Sequence, residues 1–247
     1  MIPFVDFWQD NGIPLTWQPK SQTTIWFSTD SKENYEKNRD KNFFSPDSFG
    51  YNFNNYGYRI GSTDWNFNSD QKKIITLGCS HSVGIGVPWE NTWAYLLAQQ
   101  LNCELFNLSV TGGTPDTVFR TLYFSLEKIK PDVVAIFWPA PIRWEFYEAM
   151  PWDATGADCN TPKLLSVWNT DANQINENHL INNRNKNILS VRLLQKIYGF
   201  KLLELDSESA ITDYISSGNE LSVDARDLIH PGVSMHQYTA KKFIDTY

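Results

Sequence analysis

The 247-residue sequence is short of cysteine, of positive charge and of long apolar runs, and each shortage excludes a class of protein. Its three cysteines, Cys79, Cys103 and Cys159, are an odd number, widely spaced, with no CxxC or Cys/His pairing. Neither a disulfide scaffold nor a zinc site is expected from them. Lysine and arginine number 21 against 28 aspartates and glutamates, a formal net charge of -7. Without a basic face the chain has little to exchange for the counterions of a nucleic acid or an anionic membrane, so neither partner is expected. No apolar run approaches the ~20 residues of a membrane span. The opening MIPFVDFWQDNG carries no basic segment and meets an acid at once, unlike a secretory leader. There is no internal repeat and no heptad pattern. The expectation is a soluble protein, cytoplasmic as synthesised, in a reducing compartment, with its oligomeric state left open.

Aromatic rings, by contrast, are plentiful, at 15% of residues with 10 Trp and 11 Tyr. That is more than one core of this size needs, so some of them should line a cleft or a partner surface. Hydrophobic residues at 41% and charged residues at 20% describe a globular chain. The length suits one sizeable α/β domain with an extension.

Residues 1–70 are rich in Asn, Ser and aromatics, as in FFSPDSFGYNFNNYGYRIGSTDWNF, with no helical period. They read as an extension packed on the main domain, irregular with brief strands. Residues 71–247 alternate. KKIITLG, CELFNLS, PDVVAIFW and KLLEL read as strands. WENTWAYLLAQQLN, TPDTVFRTLYFSLEKIK, ILSVRLLQKIYG and VSMHQYTAKKFIDTY read as helices, the second with Val118, Leu122 and Leu126 on one face. From Pro139 to about Asn187 the alternation fails, in a polar, Asn-rich insertion dotted with Trp144, Trp152 and Trp168. Strands and helices at this spacing predict a three-layer αβα sandwich with a central parallel sheet, flavodoxin-like in class.

Ligands of open parallel sheets bind beyond the carboxyl ends of the strands. Three turns leave such ends: GCSHS, holding Ser80; NLSVTGG, holding Gly112; and WPAPIR, running from Trp138 to Arg143. A base is available far downstream in DARDLIHPG, where Asp227 and His230 stand three residues apart in a loop bounded by Pro and Gly. That spacing lets a carboxylate reach the far ring nitrogen of the imidazole and set its tautomer.

These segments together resemble the SGNH/GDSL hydrolases. GCSHSVG is similar to the family's GDSxTxG block, with Ser80 at the nucleophile and Gly84 at the last glycine. NLSVTGG is similar to the second block, with Gly112 at the glycine whose N–H serves the oxyanion hole. DLIHPGVSMHQYTA is similar to the DxxHP block and its helix, with Asp227 and His230 on the Asp and His, Pro231 on the proline, and His236 and Ala240 on the helix positions. The resemblance covers about Lys72–Tyr247 and implies a Ser-His-Asp hydrolase needing no metal and no organic cofactor. The oxyanion would meet the N–H groups of Ser80 and Gly112.

Two departures stand out. Cys79 replaces the first-block Asp, a residue that shapes the turn. In the third block, GxND, Pro139 falls on the glycine and Pro141 on the asparagine. Proline has no N–H and no polar side chain, so the third oxyanion donor is missing. Arg143 or the Trp138 indole N–H would have to replace it. Arg143 is preferred because a charged donor on that rim has little other reason to follow two prolines, with a salt bridge to Glu145 or another carboxylate as its competing role. A guanidinium could also hold an anionic sugar or polar acyl acceptor.

Competing readings attach to several positions. Ser80 can be a mere capping serine, and Asp224 competes with Asp227 for the carboxylate. His81 is expected to face solvent and Cys79 to pack inward, opposite to Ser80. His236 is expected to pack near the last helix. Gly84 and Gly86 resemble a phosphate loop, but GxGxxG and GKS/T are both absent. Trp144, Trp152 and Trp168 either stack on a sugar or close a subsidiary core.

The function expected is a serine esterase of SGNH type that removes a small acyl group such as acetyl from a carbohydrate. Its partner is then a small-molecule or glycan ester. The rivals are a glycan- or protein-binding module on the same fold, weakly active or inactive, and an acyltransferase using the same triad.

Overall fold

The run Val133–Trp138 is buried at all six positions, and its side chains alternate between two cores. Val134, Ile136 and Trp138 enter one, while Val133, Ala135 and Phe137 enter the other. A strand without a solvent face needs helices on both sides, and the rest of the chain supplies them. The computed structural model describes residues 9–14, 16–141, 143–148, 163–168 and 177–247, with only the backbone described in the segments 143–148 and 163–168.

The extension contributes five brief strands, β1 (Gln9–Asp10), β2 (Ile13–Pro14), β3 (Gln22–Thr24), β4 (Tyr51–Phe53) and β5 (Arg59–Ile60), with helix α1 (Lys32–Lys37) between β3 and β4. Then follow β6 (Lys73–Leu77), α2 (Ser80–Val83), α3 (Trp93–Leu101), β7 (Glu104–Asn107), α4 (Pro115–Ile129) and β8 (Val133–Trp138). After them come β9 (Arg143–Glu148), β10 (Lys163–Trp168), α5 (Glu177–Tyr198), β11 (Lys201–Asp206), α6 (Ser207–Ser216) and α7 (Val233–Thr246).

The central sheet runs β11-β8-β6-β7 with every pairing parallel, Ile75 standing against Val134 on one side and Phe106 on the other. Helices α4 and α5 cover one face through Val118, Leu122, Leu126, Val191 and Leu194. Helices α3, α6 and α7 cover the other through Trp93, Leu97, Tyr214, Met235 and Phe243. The expected three-layer αβα sandwich is the fold. Ile13, Tyr56 and Tyr58 from the extension join the α4/α5 core, and Trp65 packs within 5.4 Å of Tyr58 and Phe106.

Three helices and one strand pair differ from expectation. Helix α1 lacks an apolar stripe and buries only Tyr35. Capping by Ser31 and the Glu33–Lys37 pair hold it instead. Helix α6 was invisible because its buried set, Ser207, Ala210 and Tyr214, is too small a stripe to read as a period; Asp206 caps it. Helix α5 starts at Glu177, well before the ILSVRLLQKIYG segment, because its polar first half carries no apolar signal. The stretch expected to be irregular from Pro139 to Asn187 also contains β9 and β10, paired antiparallel from Arg143 opposite Trp168 to Glu148 opposite Lys163.

Candidate active site

Strand order reverses at β6, with β7 on one side and β8 on the other, so the connections leaving β6 and β8 diverge and open a crevice at the carboxyl edge. Ser80 begins α2 just beyond β6 and is 8% exposed. Cys79 before it is extended, at φ -97° and ψ -155°, and its free thiol is buried, as expected. The first N–H groups of a helix have no acceptor within it, and Ser80 N donates to no acceptor among the described residues.

The second turn comes directly against this one. Val110 N donates to Gly78 O at 3.2 Å. A Cβ on Gly113 would stand 2.8 Å from Val110 O and 3.0 Å from Gly78 O, with Cys79 Cα at 3.6 Å, so a side chain there would hold the two turns apart. Gly112, next to it, has φ +70°, and its N–H has no acceptor among the described residues. Two free backbone donors thus belong to adjoining turns, which is the chemistry an oxyanion requires.

The Asp–His pair forms. His230 Nδ1 lies 2.6 Å from Asp227 Oδ2, and Asp227 Oδ1 accepts the backbone N–H groups of Ile229 and His230, each at 3.1 Å. Asp227 is buried at 1% exposure. Burial pushes its carboxyl up, but the bonds from His230, from Thr29 and from the backbone outweigh it and hold the group below the ordinary aspartate range. The His230 ring stands 5.7 Å, centroid to centroid, from that of His81, Ser80's neighbour in sequence. His81 is therefore half-buried against His230 rather than solvent-facing. Among the described residues Ser80 Oγ makes no hydrogen bond.

Sequence reasoning missed how far the extension builds this site. Thr29 Oγ1 is 2.6 Å from Asp227 Oδ2 and 3.1 Å from His230 Nδ1. Asn34 Nδ2 donates to Asp227 O at 2.7 Å. Arg226, beside Asp227, is fully buried, paired with Asp30 and stacked on Trp26 and Phe49 at 4.4 and 3.8 Å. Arg59 donates to Val83 O and Val87 O at 3.1 and 2.9 Å, and also to Gly84 O, beneath α2. Burial lowers its guanidinium to about 10. Elsewhere on the rim, Gln18 accepts Thr111 N at 2.9 Å and the Trp17 indole donates to Thr111 O at 3.1 Å. Nothing local in sequence marks Thr29, Arg59 or Trp17, because each acts across a long stretch of chain.

Other candidates fall into structural roles. Asp224 Oδ2 accepts Ser234 N and Ser234 Oγ at 2.8 and 2.6 Å, securing the start of α7. His236 is buried, and its Nδ1 accepts Trp93 N at 3.1 Å at the start of α3. Trp138 is corrected as a substitute oxyanion donor: it is buried, and its indole N–H already goes to Glu204 Oε1 at 2.9 Å. Arg143 opens β9; its side chain and those of Trp144 and Trp168 lie outside the described residues, as does all of Trp152. Pro141 sits in the turn after β8. A cavity of about 320 Å³ lined by Trp65, Trp89 and Tyr95 is separate from this rim. Among the described residues no three His, Cys, Asp or Glu side chains gather to hold a metal ion, and no helix is long and apolar enough to cross a membrane.

No family model matches the chain, and no curated protein does. Solved structures do. TesA shares 15% identity over 71% of this chain and 97% of its own, with a TM-score of 0.45. The psychrotrophic esterase EstA from Pseudoalteromonas sp. shares 14% over 70% and 95%, with a TM-score of 0.45. The acetyl xylan esterase AlAXEase shares 14% over 70% and 98%, also at 0.45.

Proposed function

We propose that the chain is a serine ester hydrolase of SGNH type that removes a small acyl group, acetyl first, from a carbohydrate. The observation that carries this reading is the 2.6 Å contact of Asp227 Oδ2 with His230 Nδ1, set against the turn that starts at Ser80. With Nδ1–H given to Asp227, Nε2 is left as the acceptor, and it takes the Ser80 proton as Oγ attacks the ester carbonyl. The tetrahedral oxygen meets the N–H groups of Ser80 and Gly112. Collapse breaks the ester C–O bond, and His230 gives its proton to the leaving sugar oxygen, which departs as the hydroxyl. Water, deprotonated by His230, then attacks the acyl carbon; the bond to Ser80 Oγ breaks, the acid leaves and His230 returns the proton to Ser80.

The carbohydrate preference is supported by Trp17, a ring 41% exposed and pinned by its N–H beside Gly112, which suits the apolar face of a sugar. Two donors rather than three predict a slow enzyme, since one oxyanion donor is worth on the order of 10²–10³ in turnover. Arg143 remains the candidate replacement, and loss of turnover without loss of melting temperature in Arg143→Ala supports it.

The test is labelling by a serine-reactive fluorophosphonate. Adduct on Ser80 in the native chain, absent in Ser80→Ala and in His230→Gln, supports the hydrolase. No adduct, together with no release of acetate from acetylated oligosaccharides, moves the reading to a binding module, which Pro141 at the donor position favours. An acyltransferase would label equally and is told apart by acetate passing to an added sugar acceptor faster than to water.

A further inference from the structure

The carboxylate oxygen of Asp227 that holds His230 also meets a hydroxyl from the far end of the chain. Thr29 Oγ1 is 2.6 Å from Asp227 Oδ2 and 3.1 Å from His230 Nδ1. Asp227 Oδ1 is already bound to two backbone N–H groups, so Thr29 and His230 share Oδ2 between them. Thr29 is itself held: its carbonyl accepts Ser31 N at 2.9 Å and Asn34 Nδ2 at 3.2 Å. The same Asn34 amide reaches Asp227 O, and Asp30, the next residue, is locked to Arg226. Thr29 and Asp227 are thus tied together through three neighbouring contacts as well as their own.

We infer that Thr29 is a positioning residue for the triad, its hydroxyl donating to Asp227 Oδ2 while its oxygen lone pair takes a share of the His230 Nδ1 proton. This rests on the reading of Ser80, His230 and Asp227 as a triad. A carboxylate fixed at both oxygens cannot turn about its Cβ–Cγ bond, so Oδ2 stays in the plane of the imidazole and Nε2 stays aimed at the crevice. The N-terminal extension then belongs to the reacting apparatus, supplying a contact that residues 71–247 lack.

The experiment compares Thr29→Val, which keeps the shape and loses the hydroxyl, with Thr29→Ser, which restores it. Two quantities are read. One is kcat and KM for an acetyl ester. The other is the low-field proton resonance of His230 Nδ1–H, assigned by its loss in His230→Gln and measurable whether or not Ser80 reacts. In Thr29→Val, kcat is expected to fall roughly tenfold at unchanged KM, the worth of one hydrogen bond to a charged group, and the resonance to move or broaden. Thr29→Ser is expected to match the native protein in both. A Thr29→Val protein with native kcat and native resonance overturns the inference. So does a Thr29→Ser protein as impaired as Thr29→Val, which would make the role one of packing. Thr29→Ala takes the place of Thr29→Val if circular dichroism shows the latter unfolded. If the native chain lacks esterase activity the hydrolase reading fails, while the resonance still decides whether Thr29 holds the pair.

Discussion

Arg226 Nη2 donates to Asp30 Oδ2 at 2.7 Å, and neither side chain has any exposed surface. The bond fastens the loop carrying Asp227 and His230 to the extension, and Asp30 also accepts the Tyr51 hydroxyl at 2.5 Å. Burial, with the Asp30 charge beside it, pushes the Tyr51 hydroxyl well above its ordinary range, so it stays a neutral donor. Arg226 spends its remaining donors on the carbonyls of Pro46, Phe49 and Ile25.

Removing one partner leaves a buried charge uncompensated. Asp30→Ala should therefore lose about 3–5 kcal/mol of stability in urea denaturation. Asp30→Ala combined with Arg226→Met should recover part of that loss. A single-variant loss below about 1 kcal/mol would show the pair to be solvated in solution.

The two aspartates of DARD are expected to separate cleanly. Asp224→Ala removes the acceptor for Ser234 N at the head of α7 and should cost about 1 kcal/mol with turnover per folded molecule retained. Asp227→Ala should reduce kcat by several orders of magnitude, since the imidazole loses its orienting partner. Equal kinetic damage from both substitutions would remove the distinction.

Gly86 and Gly199 share a left-handed backbone, φ +82° and +79°. A side chain on either pays about 1–2 kcal/mol for that conformation. Their surroundings differ: a Cβ at Gly86 would stand 2.8 Å from Asp227 Oδ1, while one at Gly199 meets nothing within 4 Å. Gly86→Ala should lower kcat sharply, and Gly199→Ala should lower only the melting temperature. Thermal melts and acetate release on the same samples check this.

His236 gives the fold a pH dependence. Burial first, then the Arg59 charge and His230, lower its ring to about 3. The folded state therefore keeps it neutral while the unfolded chain binds a proton below the ordinary histidine value. Stability should be flat above about pH 6.5 and fall towards pH 3, by several kcal/mol in all. Asp227, held low in the folded state, adds stability that is lost only at more acid pH, as the pH falls below the ordinary aspartate value. His236→Asn, whose side-chain oxygen can still accept Trp93 N, should flatten the slope between pH 6.5 and 4.5. An unchanged slope would assign the acid sensitivity elsewhere.

The sequence by itself determined the layers of the main domain. Burial on both faces writes PDVVAIFW as an unbroken apolar run, and burial on one face writes Val118, Leu122 and Leu126 at helical spacing, so β8 and α4 could be read residue by residue. The Asp227–His230 contact was legible because their spacing of three within one loop is a local feature, whereas Ser80 was singled out by the resemblance of GCSHSVG to the GDSxTxG block. Helix α6 and the first half of α5 were not legible: α6 rests on the Asp206 cap and a small buried set, and the first half of α5 is tied to α4 through Asn183 and Asn187 on Asp116 rather than by an apolar stripe.

Tertiary structure alone decided what surrounds the pair. Thr29 and Asp30 reach Asp227 and Arg226 across about two hundred residues. A hydroxyl or carboxylate in a polar loop carries no periodic mark of the partner it will meet. The same holds for Trp138, whose N–H is committed to Glu204 on the neighbouring strand β11, and for Asp224, turned to α7 by a loop only three residues from Asp227. Apolar pattern is set by the average environment of a segment, which sequence records. A polar contact is set by the direction of a single side chain, which exists only once distant segments have packed.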